Sequence, residues 1–182
     1  MTEFRCELLT SEHDLSKFDC GVEPMNTWLW NSAMRGQVQG TGRTFVWCPD
    51  SPWPGVEPDE VVAYFTLAAH MIHQDDLAGA IARGRLRSLP SQIPAIMLAR
   101  LALDRRLQGR GYGGALLASA LERCVHAGRI AAAVYVVVDA IDDSALRFYQ
   151  KRYFMPVPGT HRLVRPMRSI ADEMEIPEPE DL

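Results

Sequence analysis

Leu98-Ala99-Arg100-Leu101-Ala102-Leu103-Asp104-Arg105-Arg106-Leu107-Gln108-Gly109-Arg110-Gly111-Tyr112-Gly113-Gly114 is the stretch on which the fold turns. The apolar run Ala95 to Leu103, interrupted by one charge at Arg100, predicts a buried central strand. Four glycines then fall in six positions, at 109, 111, 113 and 114. Such a loop lets successive backbone N–H groups turn inward as an anion nest. From Tyr112 the pattern becomes helical, with Leu117, Leu121, Cys124 and Val125 on one face and Gly128 as a C-terminal stop. Ala131 to Val138 is a β-branched strand. Strand, helix, strand makes a right-handed crossover whose two strands lie side by side and parallel.

Upstream, Pro24 followed by Met25, Trp28, Leu29 and Ala33 has amphipathic helix spacing, and the segment Gly36 to Gly42 ends it. Thr44–Cys48 and Val61–Leu67 read as antiparallel strands joined by a proline-rich loop. Residues 75 to 83 suit a short helix, and Gly84, Pro90 and Pro94 mark irregular chain. Downstream, Asp142 or Asp143 can cap a short helix through Lys151, and Leu163 to Met167 can supply a last strand, with Pro166 at an edge or bulge. The pattern describes one mixed α/β layer structure without internal repeats.

A chain of 182 residues, 47% apolar, suits a single domain. No apolar run approaches the roughly 18 residues of a membrane span, and the N-terminus lacks a leader pattern. A soluble, cytoplasmic protein without membrane attachment is expected. Cys6, Cys20, Cys48 and Cys124 show no metal-ligand spacing and read as reduced packing residues, and the five histidines are no more organised. No metal is expected. The net charge of −4 conceals an acid-rich end, residues 172–182, expected to be disordered or docked on a partner. Arg83, Arg85, Arg87, Arg100, Arg105, Arg106 and Arg110, against Asp104 alone, make residues 81 to 110 a basic patch suited to an anionic ligand.

A glycine loop opening a helix cradles phosphates, because the helix dipole adds to the nest. Gly109-x-Gly111-x-x-Gly114 also fits a dinucleotide fingerprint, with Asp139 where a ribose ligand would stand. Context opposes that alternative. The strand ends five residues before the first glycine, and only 43 residues follow Asp139, too few for the parallel strands a dinucleotide fold needs.

Gln108-x-x-Gly111-x-Gly113, after an apolar strand and at the start of a helix, resembles the Q/R-x-x-G-x-G/A signature of GNAT-type N-acetyltransferases. Asp142-x-x-Ala145-x-x-Phe148-Tyr149-x-x-x-Tyr153-Phe154 resembles that superfamily's N-x-x-A-x-x-x-Y-x-x-x-G-F motif, with Asp142 for asparagine and Tyr153 for glycine. The resemblance implies a GNAT fold over residues 1–171: one mixed, mostly antiparallel sheet with a parallel βαβ cofactor unit, flanked by helices. It implies acetyl-CoA as acetyl donor, held by Leu101, Ala102 and Leu103, by Arg106, by the loop Gln108, Gly109, Arg110, Gly111, Tyr112, Gly113 and Gly114, and by Asp142, Ala145 and Phe148. A backbone N–H near Leu103 would serve the oxyanion.

Tyr149 is the candidate catalytic acid. A phenol stays protonated at neutral pH and can donate to a departing thiolate. No general base stands out, so the acceptor amine is expected to have a low pKa or to lose its proton to water. A closer resemblance, over residues 10 to 168, is to the TacT-like toxins of type II toxin–antitoxin systems. It is carried by Phe18-x-Cys20-Gly21-x-x-x-Met25-Asn26-x-Trp28-Leu29, by Leu98 to Asp104, and by Val138-Asp139-Ala140. That likeness implies aminoacyl-tRNA as acceptor, a ribbon-helix-helix antitoxin as partner and a homodimer. Arg83, Arg85 and Arg87 would meet tRNA phosphates. Arg100 would face the acceptor or form a core ion pair with Asp104 or Asp139, and Trp28 and Trp30 either stack on bases or pack in the core. A GNAT acting on a small amine or a protein N-terminus is the alternative.

Overall fold

A computed structural model describes residues 4–51 and 53–178. Its strands are β1 (Phe4–Leu8), β2 (Arg43–Pro49), β3 (Ala63–His73), β4 (Gln92–Leu103), β5 (Tyr135–Asp139), β6 (Met155–Pro156) and β7 (Arg162–Pro166). Its helices are α1 (Glu23–Asn31), α2 (Ala33–Val38), α3 (Arg83–Leu86), α4 (Tyr112–Ala131), α5 (Asp143–Gln150) and α6 (Met167–Glu173). The seven strands form one mixed sheet in the order β1-β2-β3-β4-β5-β7-β6. The expected parallel pair is β4 with β5, in register Ala95↔Tyr135, Ile96↔Val136 and Met97↔Val137. β1–β2, β2–β3, β5–β7 and β6–β7 are antiparallel. This is the mixed α/β sheet of the sequence reading, and its single parallel pair removes the dinucleotide alternative.

Contacts divide the chain into two units, one made of residues up to Ala68 with Ala99–Ala120, the other of Ala69–Leu98 with the residues from Leu121 onward. In the first, β1, β2 and the start of β3 cover a core of Leu9, Phe18, Leu29, Val46, Tyr64 and Ala102. Pro24 sits in the first turn of α1, where its missing N–H costs nothing. The helix breaks at Ser32 rather than continuing through Ala33, and α2 begins there.

The second unit is built on β5, whose Val136, Val137 and Val138 are fully buried, as a strand with neighbours on both sides requires. β5 begins at Tyr135, later than residue 131, because α4 runs to Ala131 and Ala132 turns at φ 55°. Gly128 is therefore not the helix stop. A Cβ there would lie 2.5 Å from Met167 Cε, so this glycine allows a close approach of Met167 to α4. The helix expected over 75 to 83 divides into a 3-10 turn, Gln74–Leu77, and α3, with Gly79 at φ 90° between them. Pro166 ends β7 and is the N-cap of α6, which takes up Asp172 and Glu173 of the acid-rich segment. Arg129 reaches Pro177 O at 2.5 Å and Ile176 O at 3.1 Å. The last four acid-segment residues, 179–182, lie outside the described residues.

Candidate active site

In the first unit the chain leaves β4 at Leu103 into a turn fixed by buried charge. Asp104, 2% exposed, accepts the N–H groups of Asp19 at 3.0 Å and Arg106 at 2.9 Å, and Arg106 Nε and Nη2 at 2.8 and 2.9 Å. Arg106 also pairs with Glu60, which is 0% exposed and accepts Lys17 Nζ at 3.0 Å. Burial alone would raise the pKa of both carboxyls. The Arg106 guanidinium outweighs it and holds each below its ordinary value. Arg106 thus braces the turn, and the coenzyme contact expected of it is replaced by a structural part. Exposed Arg105, 3.2 Å from Asp19, and exposed Arg110 remain as surface cations beside the loop.

Gln108 donates to Leu103 O at 2.7 Å and Cys20 O at 2.9 Å, closing the turn. The Phe18-x-Cys20-Gly21 motif thereby acquires a physical reason. Phe18 is buried against Tyr64, with ring centroids 5.4 Å apart, and Asn26 accepts the Cys20 N–H at 3.0 Å. The loop therefore rests on a pinned N-terminal segment. Beyond it Gly109 and Gly111 have φ of 73° and 88°, and a Cβ at either would meet nothing within 4 Å. The glycines serve backbone conformation, and the face above them is open. Tyr112, Gly113 and Gly114 follow as the first turn of the 20-residue α4, so the positive end of its dipole adjoins the nest. Leu101 and Leu103 are half-buried and Ala102 is buried.

In the second unit Asp142 Oδ1 accepts the Ala145 N–H at 2.7 Å and caps α5. The departure from asparagine leaves the cap intact, since either side chain supplies the oxygen. Tyr149 on α5 is 8% exposed, with Phe148 and Phe154 edge-on at 5.2 and 5.4 Å. Burial raises its pKa well above the usual phenol range, so the hydroxyl is a proton donor at neutral pH. No hydrogen bond ties Tyr149 to another described side chain. The sequence offered no spacing signal for His70. Burial lowers its pKa, keeping the imidazole neutral, and its buried Nε2 has no partner.

Neither ion pair considered for Arg100 forms. Asp104 belongs to Arg106, and Asp139 takes Arg162 at 2.7 and 2.8 Å. The Arg100 guanidinium lies 4.1 Å from the Trp28 ring centroid, and its buried Nε lacks a partner. Both residues line a pocket of about 200 Å³ with Gly42, Thr44, Thr66 and Ala99. Trp28 stacks on Tyr64 at 6.0 Å, so it is a core residue that also carries the arginine. Trp30 is 43% exposed and donates to Leu15 O at 2.9 Å. Arg83, Arg85 and Arg87 are all exposed on or beside α3, in the second unit.

A strand, an open glycine nest and a helix N-terminus, with a proton-donating tyrosine on a separately capped helix, define an acyltransferase of the coenzyme-thioester class. The sequence profile of the acetyltransferase (GNAT) family matches residues 23–154, and the chain belongs to that family. It is an N-acetyltransferase. A tRNA-acetylating toxin of Mycobacterium tuberculosis is 33% identical over 141 residues, 78% of each chain. AtaT complexed with acetyl-methionyl-tRNAfMet is 27% identical, with a TM-score of 0.81 over 94% of this chain and 99% of that one. AtaTR bound with acetyl-CoA is 29% identical, with a TM-score of 0.79 over 96% and 99%. No described helix is long and apolar enough to cross a membrane.

Proposed function

We propose that this chain is a toxin that transfers acetyl from acetyl-CoA to the α-amino group of aminoacyl-tRNA and so blocks translation. A ribbon-helix-helix antitoxin would neutralise it in the cytoplasm, and the toxin would act as a homodimer. The observation that carries the acceptor assignment is the likeness, over nearly the whole chain, to a protein seen with its acetylated charged tRNA. The open glycine faces at Gly109 and Gly111 and the α4 N-terminus suit a pyrophosphate, with Arg105 and Arg110 adding charge.

Bound acetyl-CoA supplies an activated thioester. Half-buried Leu101 and Leu103 give its pantetheine a strand to lie along, and a backbone N–H near Leu103 receives the developing oxyanion. The amine forms the new C–N bond as the C–S bond breaks. Tyr149 gives its proton to the leaving sulfur, and the ammonium proton passes to water, from which the phenolate is reprotonated. The products are an amide and a thiol. An aminoacyl ester suits an enzyme without a dedicated base, because the ester withdraws electrons and lowers the amine's pKa.

Steady-state acetylation of charged tRNA and of a small primary amine, each from 50 to 200 mM salt, tests this reading. Contacts from several arginines to phosphate make the tRNA KM rise steeply with salt. Transfer to the small amine alone, insensitive to salt, would support the small-amine reading instead.

A further inference from the structure

Tyr153 has φ 63°, one of three non-glycine residues with a positive φ in the described chain. Bulky L residues rarely adopt that conformation, and the glycine of the motif it interrupts would adopt it freely. The strain is not repaid by burial, since Tyr153 is 71% exposed. Its backbone is held by Tyr153 N–H to Gln150 O at 3.1 Å and Phe154 N–H to Tyr149 O at 3.2 Å. The Arg165 guanidinium lies 5.5 Å from the ring centroid and is itself buried and paired with Glu173. The ring is therefore oriented from below and presented to solvent.

It opens onto a cleft of about 870 Å³ lined also by Ile81, Arg85, Met155, Arg168 and Asp172. Arg85 comes from α3, flanked by exposed Arg83 and Arg87, and exposed Arg168 from the first turn of α6. Neither Arg85 nor Arg168 is in an ion pair among the described residues. Cations outnumber Asp172 around an exposed aromatic face. That combination suits an unpaired RNA strand, whose bases stack on aromatic rings whatever their identity while arginines hold the phosphates.

We propose that this cleft binds an unpaired RNA strand, with one base stacked on Tyr153 and phosphates on Arg85 and Arg168. The inference rests on the reading of tRNA as acceptor, the strand being the single-stranded 3′ end that carries the aminoacyl group. It adds Tyr153 and Arg168 to the arginines of α3.

The experiment is fluorescence-anisotropy titration of the full chain with a labelled single-stranded RNA dodecamer and with tRNA. Tyr153→Gly relieves the strain, so its melting temperature should equal or exceed the parent's, which controls for folding. Its RNA affinity should fall about tenfold, and Tyr153→Phe, which keeps the ring, should bind like the parent. An Arg85→Gln/Arg168→Gln variant should lower the salt slope of log K by about two. Parental affinity in Tyr153→Gly, or equal losses in the Gly and Phe variants, would overturn the proposal, as would a Tyr153-dependent protein ligand with RNA affinity unmoved. If charged tRNA is acetylated while Tyr153→Gly binds RNA normally, the cleft assignment alone fails. If RNA binds through Tyr153 yet charged tRNA is not acetylated, the functional reading fails and the cleft stands.

Discussion

Replacing Arg106 with alanine separates a bracing arginine from a coenzyme ligand. The change strips a shared cation from Glu60 and Asp104, which are 0% and 2% exposed. Breaking a buried pair from one side costs about 3–5 kcal/mol, because a charge is left behind. Lys17 stays on Glu60, and the Asp19 and residue-106 N–H groups stay on Asp104, so the lower end applies. At about 2–4 °C per kcal/mol for a domain of this size, a loss near 3 kcal/mol lowers the melting temperature by about 6–12 °C. Thermal unfolding followed by circular dichroism reads it. The deficit should shrink toward pH 5: without Arg106, burial raises both carboxyl pKa values, and protonation then relieves the variant but not the parent. A melting temperature near the parent's, with acetyl-CoA affinity reduced tenfold, would refute the reasoning and return Arg106 to the coenzyme.

Tyr149→Phe keeps the packing on Phe148 and Phe154 and removes the donated proton, so kcat should fall by about 10²–10⁴ while acetyl-CoA binding by calorimetry is unchanged. Turnover close to the parent's would refute its role as acid. Gly111→Ala forces an L side chain to φ 88° in open space, a backbone cost of about 1–2 kcal/mol, and should weaken acetyl-CoA several-fold. Undiminished affinity there would show that the loop does not bind the donor. Glu60 and Asp104 have depressed folded pKa values, so their stabilisation is present above the unfolded carboxylate range, near pH 4, and is lost as pH falls through the lower folded values. The urea midpoint should be flat from pH 7 to about 5 and drop below 4; a rise on acidification would contradict the ion-pair network.

The β4–loop–α4–β5 unit and α5 were legible because their signals are local: an apolar run, a glycine cluster, a helical face, a cap at Asp142. β1 escaped notice because Phe4–Leu8 alternates charge with apolar residues too briefly to stand out, and gains its order by pairing with β2 across more than forty residues. α6 was hidden by Pro166, which suits a strand edge and a helix cap equally until Met167 is seen packing on Gly128. The site divides in the same way. The glycine nest and Tyr149 are written in contiguous motifs. The true partner of Arg106 is 46 residues away in Glu60, and no spacing rule connects them. Arg100 shows the same limit, since its partner proved to be the ring of Trp28 rather than either acid considered.

The most direct test gives the purified protein acetyl-CoA and freshly charged tRNA, then hydrolyses the ester and identifies the released amino acid by mass spectrometry. The account predicts an N-acetylated amino acid from charged tRNA, abolished by Tyr149→Phe. Recovery of only the free amino acid, while the same preparation acetylates a small amine, would contradict it.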